Sequence, residues 1–215
     1  MEIMEKNERK RPSHEESGKF SDNIILDKIT RTHISVPLII LMSVASAFMY
    51  HYVVNTSLSR QLIVPLFVSG FIFFTFLEYV FHRYLFHIST DTPFKKKLQY
   101  KIHGLHHDYP KDKTRLAMNP IFSLTLTGLF YLLFKAILGD MVYAFLPGVI
   151  SGYCMYISIH YIVHSFPPPK NFFRHLWINH AIHHYRDETT NYGVSSPLWD
   201  YIFGTTFKKK LQNDT

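Results

Sequence analysis

Residues 141–164 read MVYAFLPGVISGYCMYISIHYIVH. Up to Val163 the run is apolar apart from His160, and the next residue is a second histidine, His164. A bilayer core needs about 20 mostly apolar residues per helix, so this stretch is long enough to cross one. Imidazole is a nitrogen ligand suited to iron, zinc, copper or nickel. The stretch therefore places metal-binding side chains where an apolar helix meets a polar segment.

Three more runs have the same apolar length: 34–54, 62–81 and 120–138. Their polar exceptions are His51, Glu78 and Lys135. Four such runs in 215 residues leave too little polar sequence to cover them as buried helices of a soluble protein. The expected fold is all-α: an integral membrane protein with four transmembrane helices and a cytosolic helical cap. Residues 1–32 form a polar amino-terminal segment without the apolar core of a signal peptide, and 33–215 the membrane domain. The cap is expected at 82–118 and 164–207.

Orientation follows from the basic residues. Seven lie in 1–31, eight in 83–115 and six in 170–210, whereas Arg60 and Lys135 stand alone beside the other two connections. Short cytoplasmic loops carry the excess of Lys and Arg, so both termini and the central loop are expected in the cytosol. The formal charge of +7 reads as topology and headgroup contact. A nucleic-acid partner is not expected, because no aromatic-plus-basic groove is visible. One cysteine, Cys154, excludes an intrachain disulfide.

This topology gathers ten of the fourteen histidines on one side of the bilayer. They are His82 and His87; His103, His106 and His107; His160 and His164; and His180, His183 and His184. Ten ligands are too many for one ion and suit two. At about 100° per residue, positions i, i+3 and i+4 share a helix face, so each His-x2-His-His triple is expected to present three rings in one direction. His82 and His87, five apart, do not share a face; they serve different ions or sit where the helix is broken. Ten packed rings without metal would leave many nitrogens competing for few donors, which argues against a pH sensor. His14, His33, His51 and His175 read as ordinary polar residues. A coordinating ring donates its other N–H to a carboxylate or carbonyl, and the acids placed to accept are Glu78, Asp108, Asp187 and Glu188. Phe73, Phe74, Tyr153, Tyr156 and Trp177 stand as candidates for lining a substrate path, although packing explains each more simply.

These residues resemble the membrane-bound fatty acid hydroxylase/sterol desaturase superfamily and, within it, the fatty acid 2-hydroxylases. The resemblance runs from Glu78-Tyr79-Val80-Phe81-His82 through His87, His103-Gly104-Leu105-His106-His107, His160 to His164, and His180-Ala181-Ile182-His183-His184. It closes at Tyr192-Gly193-Val194-Ser195-Ser196-Pro197-Leu198-Trp199-Asp200 and Phe203-Gly204-Thr205. The four-residue gap in the first pair and that closing motif are similar to the 2-hydroxylase branch; in sterol desaturases the pair tends to be one residue closer. The resemblance implies two iron ions, with zinc also accepted by the ligands, and O2 as co-substrate. It also implies hydroxylation at carbon 2 of a free or sphingolipid-bound acyl chain. The membrane would be the bacterial inner membrane or the endoplasmic reticulum. Two departures stand out. Ile157 occupies a position where these hydroxylases often carry aspartate. Residues 1–31 are too short for the cytochrome b5 domain of many eukaryotic relatives, so electrons are expected from a separate ferredoxin or cytochrome b5-like donor with its reductase. The alternatives are another oxidase of the superfamily (carotenoid hydroxylase, sterol desaturase or oxidase) and a metal transporter. Transport favours ligands near the bilayer midplane, not in a cap.

Overall fold

The computed structural model describes residues 17–208. The first half of the polar amino-terminal segment, His14, and the basic Lys209 and Lys210 lie outside the described residues. Among those described, every regular element is helical. In chain order they are α1 (Ile24–Ile29), α2 (Ser35–Asn55), α3 (Ile63–Val80), α4 (Pro93–Gln99), α5 (Leu105–Asp108), α6 (Pro120–Leu138), α7 (Val142–Ser165), α8 (Arg174–Tyr185) and α9 (Leu198–Ile202). Two π-helical turns, Phe81–Phe86 and Tyr100–Gly104, extend α3 and lead into α5.

Three continuous helical stretches are long and apolar enough to cross a membrane: Ser35–Asn55, Arg60–Phe86 and the 46-residue Pro120–Ser165. The last is not one rod. Gly139, at φ 58, takes a backbone conformation that glycine tolerates and most residues avoid. From that turn the chain folds back: the Tyr131 and Tyr143 hydroxyls meet at 3.1 Å, Phe134 packs on Phe145, and the Met118 N–H donates to Tyr153 at 3.2 Å. Pairs near the turn join 131–134 to 143–145 and the pair farthest from it joins 118 to 153, so α6 and α7 form an antiparallel hairpin. The runs expected at 120–138 and 141–163 are its two arms.

α3 and α7 pack backbone to backbone, which glycine makes possible. A Cβ on Gly70 would stand 2.1 Å from the Phe145 carbonyl oxygen, and one on Gly148 2.0 Å from that of Phe67. Farther along, Gly152 faces Phe74. Gly70 lies between Phe145 and Val149, Gly148 between Phe67 and Phe71, and the next level joins Phe74 to Gly152, four residues further along both helices, so these two helices are parallel and end together. α2 runs the other way against α7, with Phe48 and His51 on Tyr143 near one end and Leu41 in the core shared with Val149 and Ile150. The outward sides of these helices carry bare aliphatics; Ile39, Val64, Leu132 and Ile137 are each at least 64% exposed. Such a belt fits a hydrocarbon surrounding.

Candidate metal centre

Parallel α3 and α7 bring His82 and His160 to the same end of the bundle. α6 starts at that end, and the 103–118 segment before it lies there too. α8 crosses over this end with the last triple.

The ten rings sort into two groups of five. His82, His87, His103, His107 and His183 make one, and His106, His160, His164, His180 and His184 the other; within each, the ligating atoms lie within 4.8 Å of one another. Consecutive Nε2 atoms approach closely. In the first group, His82 to His103 is 3.1 Å, His103 to His107 2.9 Å and His87 to His183 3.0 Å. In the second, His106 to His160 is 3.0 Å, His160 to His164 3.2 Å and His164 to His180 2.7 Å. The groups abut, with His107 stacked on His184 at 4.2 Å.

Two expectations about spacing change here. The triples do not face one way. His103 and His107, four apart, join the first group while His106 joins the second; His180 and His184 join the second while His183 joins the first. A helix carrying both groups sits between them, so i+3 is turned just far enough to serve the neighbour. His82 and His87 enter the same group because the helix changes form between them. The π-turn Phe81–Phe86 hydrogen-bonds i to i+5, which stacks residues five apart and leaves these rings 5.2 Å apart. Of the two readings of that pair, the altered helix is the observed one.

The rings fit a metal. The carbonyls of Tyr192 and Thr190 can only accept, so the Nδ1 atoms of His82 and His183 bonded to them carry the protons. Their Nε2 atoms then present lone pairs, and His103 Nε2, with ring nitrogens of both His82 and His107 within 3.1 Å, has at most one proton to share between them. Separations near 3 Å are those of adjacent ligands at right angles around an ion with bonds of about 2.1 Å. Buried His184 Nε2 has no hydrogen-bond partner at all. Burial first, and neighbouring histidines second, push His103, His106, His180 and His184 well below the usual histidine range. These rings are neutral at pH 7, as ligation requires.

The ring orienters are mostly not the expected acids. Besides Tyr192 and Thr190, Leu116 supplies a carbonyl, 3.4 Å from His160 Nδ1. Of the expected acids, Glu78 accepts from the Val194 N–H at 2.7 Å, the Ser195 N–H at 2.8 Å and the Ser195 hydroxyl. Asp187 accepts from Thr189, Asp108 lies beside Tyr100, where it helps burial raise that phenol, and Glu188 is exposed in the turn after α8. Asp200, which the sequence reading passed over, accepts from the Tyr192 and Gly193 N–H groups, each at 2.8 Å, and from Thr205 at 2.7 Å. Its position inside the closing motif was the available signal. Two buried carboxyls thus fasten the 192–195 loop, and carbonyls next to that fastening aim two rings of the first group.

An apolar cavity, partly open outward, runs between α2, α3, α6 and α7. Phe74, Tyr153 and Tyr156 line it. Phe73 does not; it packs on Phe134 and Phe145 in the core. Trp177 belongs instead to a separate cleft beside His164, His180 and His184, and its indole N–H donates to Phe166. The cavity ends against the rings: Tyr156 stacks on His160 and Phe86 on His103. Buried Ile157 stands where an acid was looked for, and offers no polar atom. His33, His51 and His175 lie apart, bonded to Ser35, Asn55 and Phe172.

The sequence model described as fatty acid hydroxylase matches residues 67–205. A dihydroceramide fatty acyl 2-hydroxylase of Arabidopsis thaliana is 37% identical over 159 residues, which are 72% of this chain and 67% of that protein. A fatty acid 2-hydroxylase of Mus musculus is 33% identical, covering 68% of this chain and 40% of its own. For a ceramide very long chain fatty acid hydroxylase of Schizosaccharomyces pombe the figures are 32%, 84% and 52%. This chain thus spans between two fifths and two thirds of these relatives. Among solved structures, full-length scs7p, with only its hydroxylase domain visible, superposes with a TM-score of 0.78 at 32% identity, covering 86% of this chain and 71% of that one.

Proposed function

Because this chain belongs to the fatty acid hydroxylase family, we propose that it is a membrane-bound di-iron monooxygenase that hydroxylates carbon 2 of a fatty acyl chain, free or ceramide-linked. One observation carries the reading: an apolar cavity ends against two abutting groups of five histidines. His82, His87, His103, His107 and His183 would hold one iron and His106, His160, His164, His180 and His184 the other. When bound, the iron pair supplies the activation of O2, using two electrons from a ferredoxin or cytochrome b5-like donor.

The chain's own residues do the rest. The cavity takes the acyl tail, and its walls exclude water from the reacting carbon. Tyr156 and Phe86, stacked on ligand rings, set how near that carbon comes. Position along the chain is then selected by distance from the head group to the rings. The four long helices cross the bilayer with both termini and all ten rings on the cytosolic side, in an inner membrane or the endoplasmic reticulum. The placement of the rings at one end of the bundle, rather than along a path through it, favours an oxidase over a transporter.

The test is lipid analysis of a host making the wild-type protein or its His183→Ala variant. 2-Hydroxy acyl chains appear with the first and not the second. Hydroxycarotenoids or altered sterols, with acyl chains unchanged, would refute the assignment.

A further inference from the structure

α1 is built inside out. Asp27 and the C-capping Thr30 face the protein. The Asp27 carboxylate accepts from Arg115 at 2.6 Å and from Arg31 at 3.1 Å, and the Thr30 hydroxyl accepts from Arg115 at 2.6 Å. Arg115, 8% exposed, is in turn paired with buried Asp112. The Asn119 side chain, which caps α6 through Ile121, also donates to the Ile29 carbonyl, and the Thr32 N–H donates to Thr114. The helix is therefore tied to the segment just before α6, and it ends a few residues ahead of α2.

Its aliphatic residues are left outside. Ile24 is 71% exposed, Ile25 69%, Leu26 50% and Ile29 46%. At about 100° per residue, Ile25 and Ile29 point about 160° away from Asp27. A short helix in water turns its aliphatics inward and its charges outward; here ion pairs on the inner face hold the reverse arrangement. The bare face continues onto Ile121 and Phe122 in the first turn of α6, 69% and 63% exposed, and so joins the apolar belt of the bundle. Exposed Lys19 and Lys28 flank it, placed to meet anionic headgroups.

We propose that α1 lies in the plane of the cytosolic leaflet, with Ile25 and Ile29 among the acyl chains, as a collar at the level where α2 and α6 enter the bilayer. An in-plane helix of this kind binds through its apolar face and its basic flanks together. The inference rests on the bundle crossing a membrane and is independent of the reaction catalysed.

The test uses full-length protein in vesicles of phosphatidylcholine and phosphatidylglycerol, with a nitroxide attached to Ile25→Cys or Ile29→Cys. Buried Cys154 is checked by labelling the parent protein. Oxygen, which concentrates in lipid, should relax both labels several-fold more than a water-soluble nickel chelate does. Greater access to nickel at both sites would place the face in water, and low access to both reagents would mean that protein, such as a second copy, covers it; either result overturns the proposal. Retained 2-hydroxylase activity in the labelled protein shows the chain is folded, and an activity that proved different would leave this readout intact.

Discussion

Replacing Glu78 by leucine should unseat one metal and spare the other. The substitution removes the acceptor of the Val194 and Ser195 N–H groups. Each buried donor left unpaired costs about 1–3 kcal/mol, so the loop loses about 2–6 kcal/mol of anchoring. Two residues upstream of those donors, the Tyr192 carbonyl aims His82, and the Thr190 carbonyl aims His183. Loss of such an orienting partner lowers metal affinity about 10–100-fold, or about 1.4–2.8 kcal/mol. Both rings belong to the first group. In the second, His160 is aimed by Leu116, outside this loop. Chelator competition followed by metal analysis should therefore show one iron lost readily and one held as in the parent. Glu78→Gln is the control. Both N–H groups bond the same oxygen, Oε1, and an amide keeps that acceptor while its NH2 can donate to Ser195. Glutamine should restore both irons. Equal loss of both metals in the leucine variant, or full retention of both, would refute the division of labour.

Neighbouring histidines should report on different ions: His106→Ala and His107→Ala should each lower metal content from about two equivalents to one, and Glu78→Leu should remove the remaining iron only in the His106 variant, as read by elemental analysis. Leu146, buried at the far end of the cavity, lies ten residues or about 15 Å of helix from Tyr156; Leu146→Phe should shift products toward shorter acyl chains with the hydroxyl still at carbon 2, measured by mass spectrometry. Gly148→Ala should cost about 1–3 kcal/mol by forcing α3 and α7 apart, seen as a lower unfolding midpoint in detergent. Burial raises the Asp27 carboxyl, but hydrogen bonds from Phe20, Arg31 and Arg115 outweigh it and bring its pKa to about 2. That value lies below the unfolded one of about 3.9, so the folded state binds fewer protons. The stabilisation, about 1–2 kcal/mol after solvent screening, is complete above about pH 4 and disappears toward pH 2. Asp27→Asn should flatten that acid limb of the midpoint-versus-pH curve.

The long helices were legible because apolar length is a one-dimensional signal. Runs expected at 34–54, 62–81, 120–138 and 141–163 correspond to α2 (Ser35–Asn55), α3 (Ile63–Val80), α6 (Pro120–Leu138) and α7 (Val142–Ser165). Convergence of the ten histidines was legible for the same reason, since it needs only the end of the bundle at which each one falls. Their partition was not. It depends on where each helix axis passes relative to two points in space, and on π-turns that no spacing rule announces. Which of the five aromatic candidates meet the cavity was not legible either, because an aromatic residue near a site carries no sign of which side of the helix faces it.

What escaped the sequence most completely was the part made of backbone. A carboxylate near a histidine is visible in the letters; a carbonyl is on every residue and so marks none. The 190–205 segment supplies two such carbonyls, and it can do so only when fixed from both sides: Glu78 on α3 holds residues 194 and 195, and Asp200 at the start of its own short helix holds 192 and 193. α9 in turn is docked on α3, where the Trp199 indole N–H donates to Thr75 at 3.0 Å and the Tyr79 and Thr205 hydroxyls meet at 3.1 Å. The acid closest in sequence to His82 therefore acts on that ring through a loop 116 residues away. A helix-borne acid aimed straight at its neighbour would fix one ring. Aimed at the loop, it fixes two rings on different helices at once, which couples closure of the 190–205 segment to assembly of the first group of five histidines.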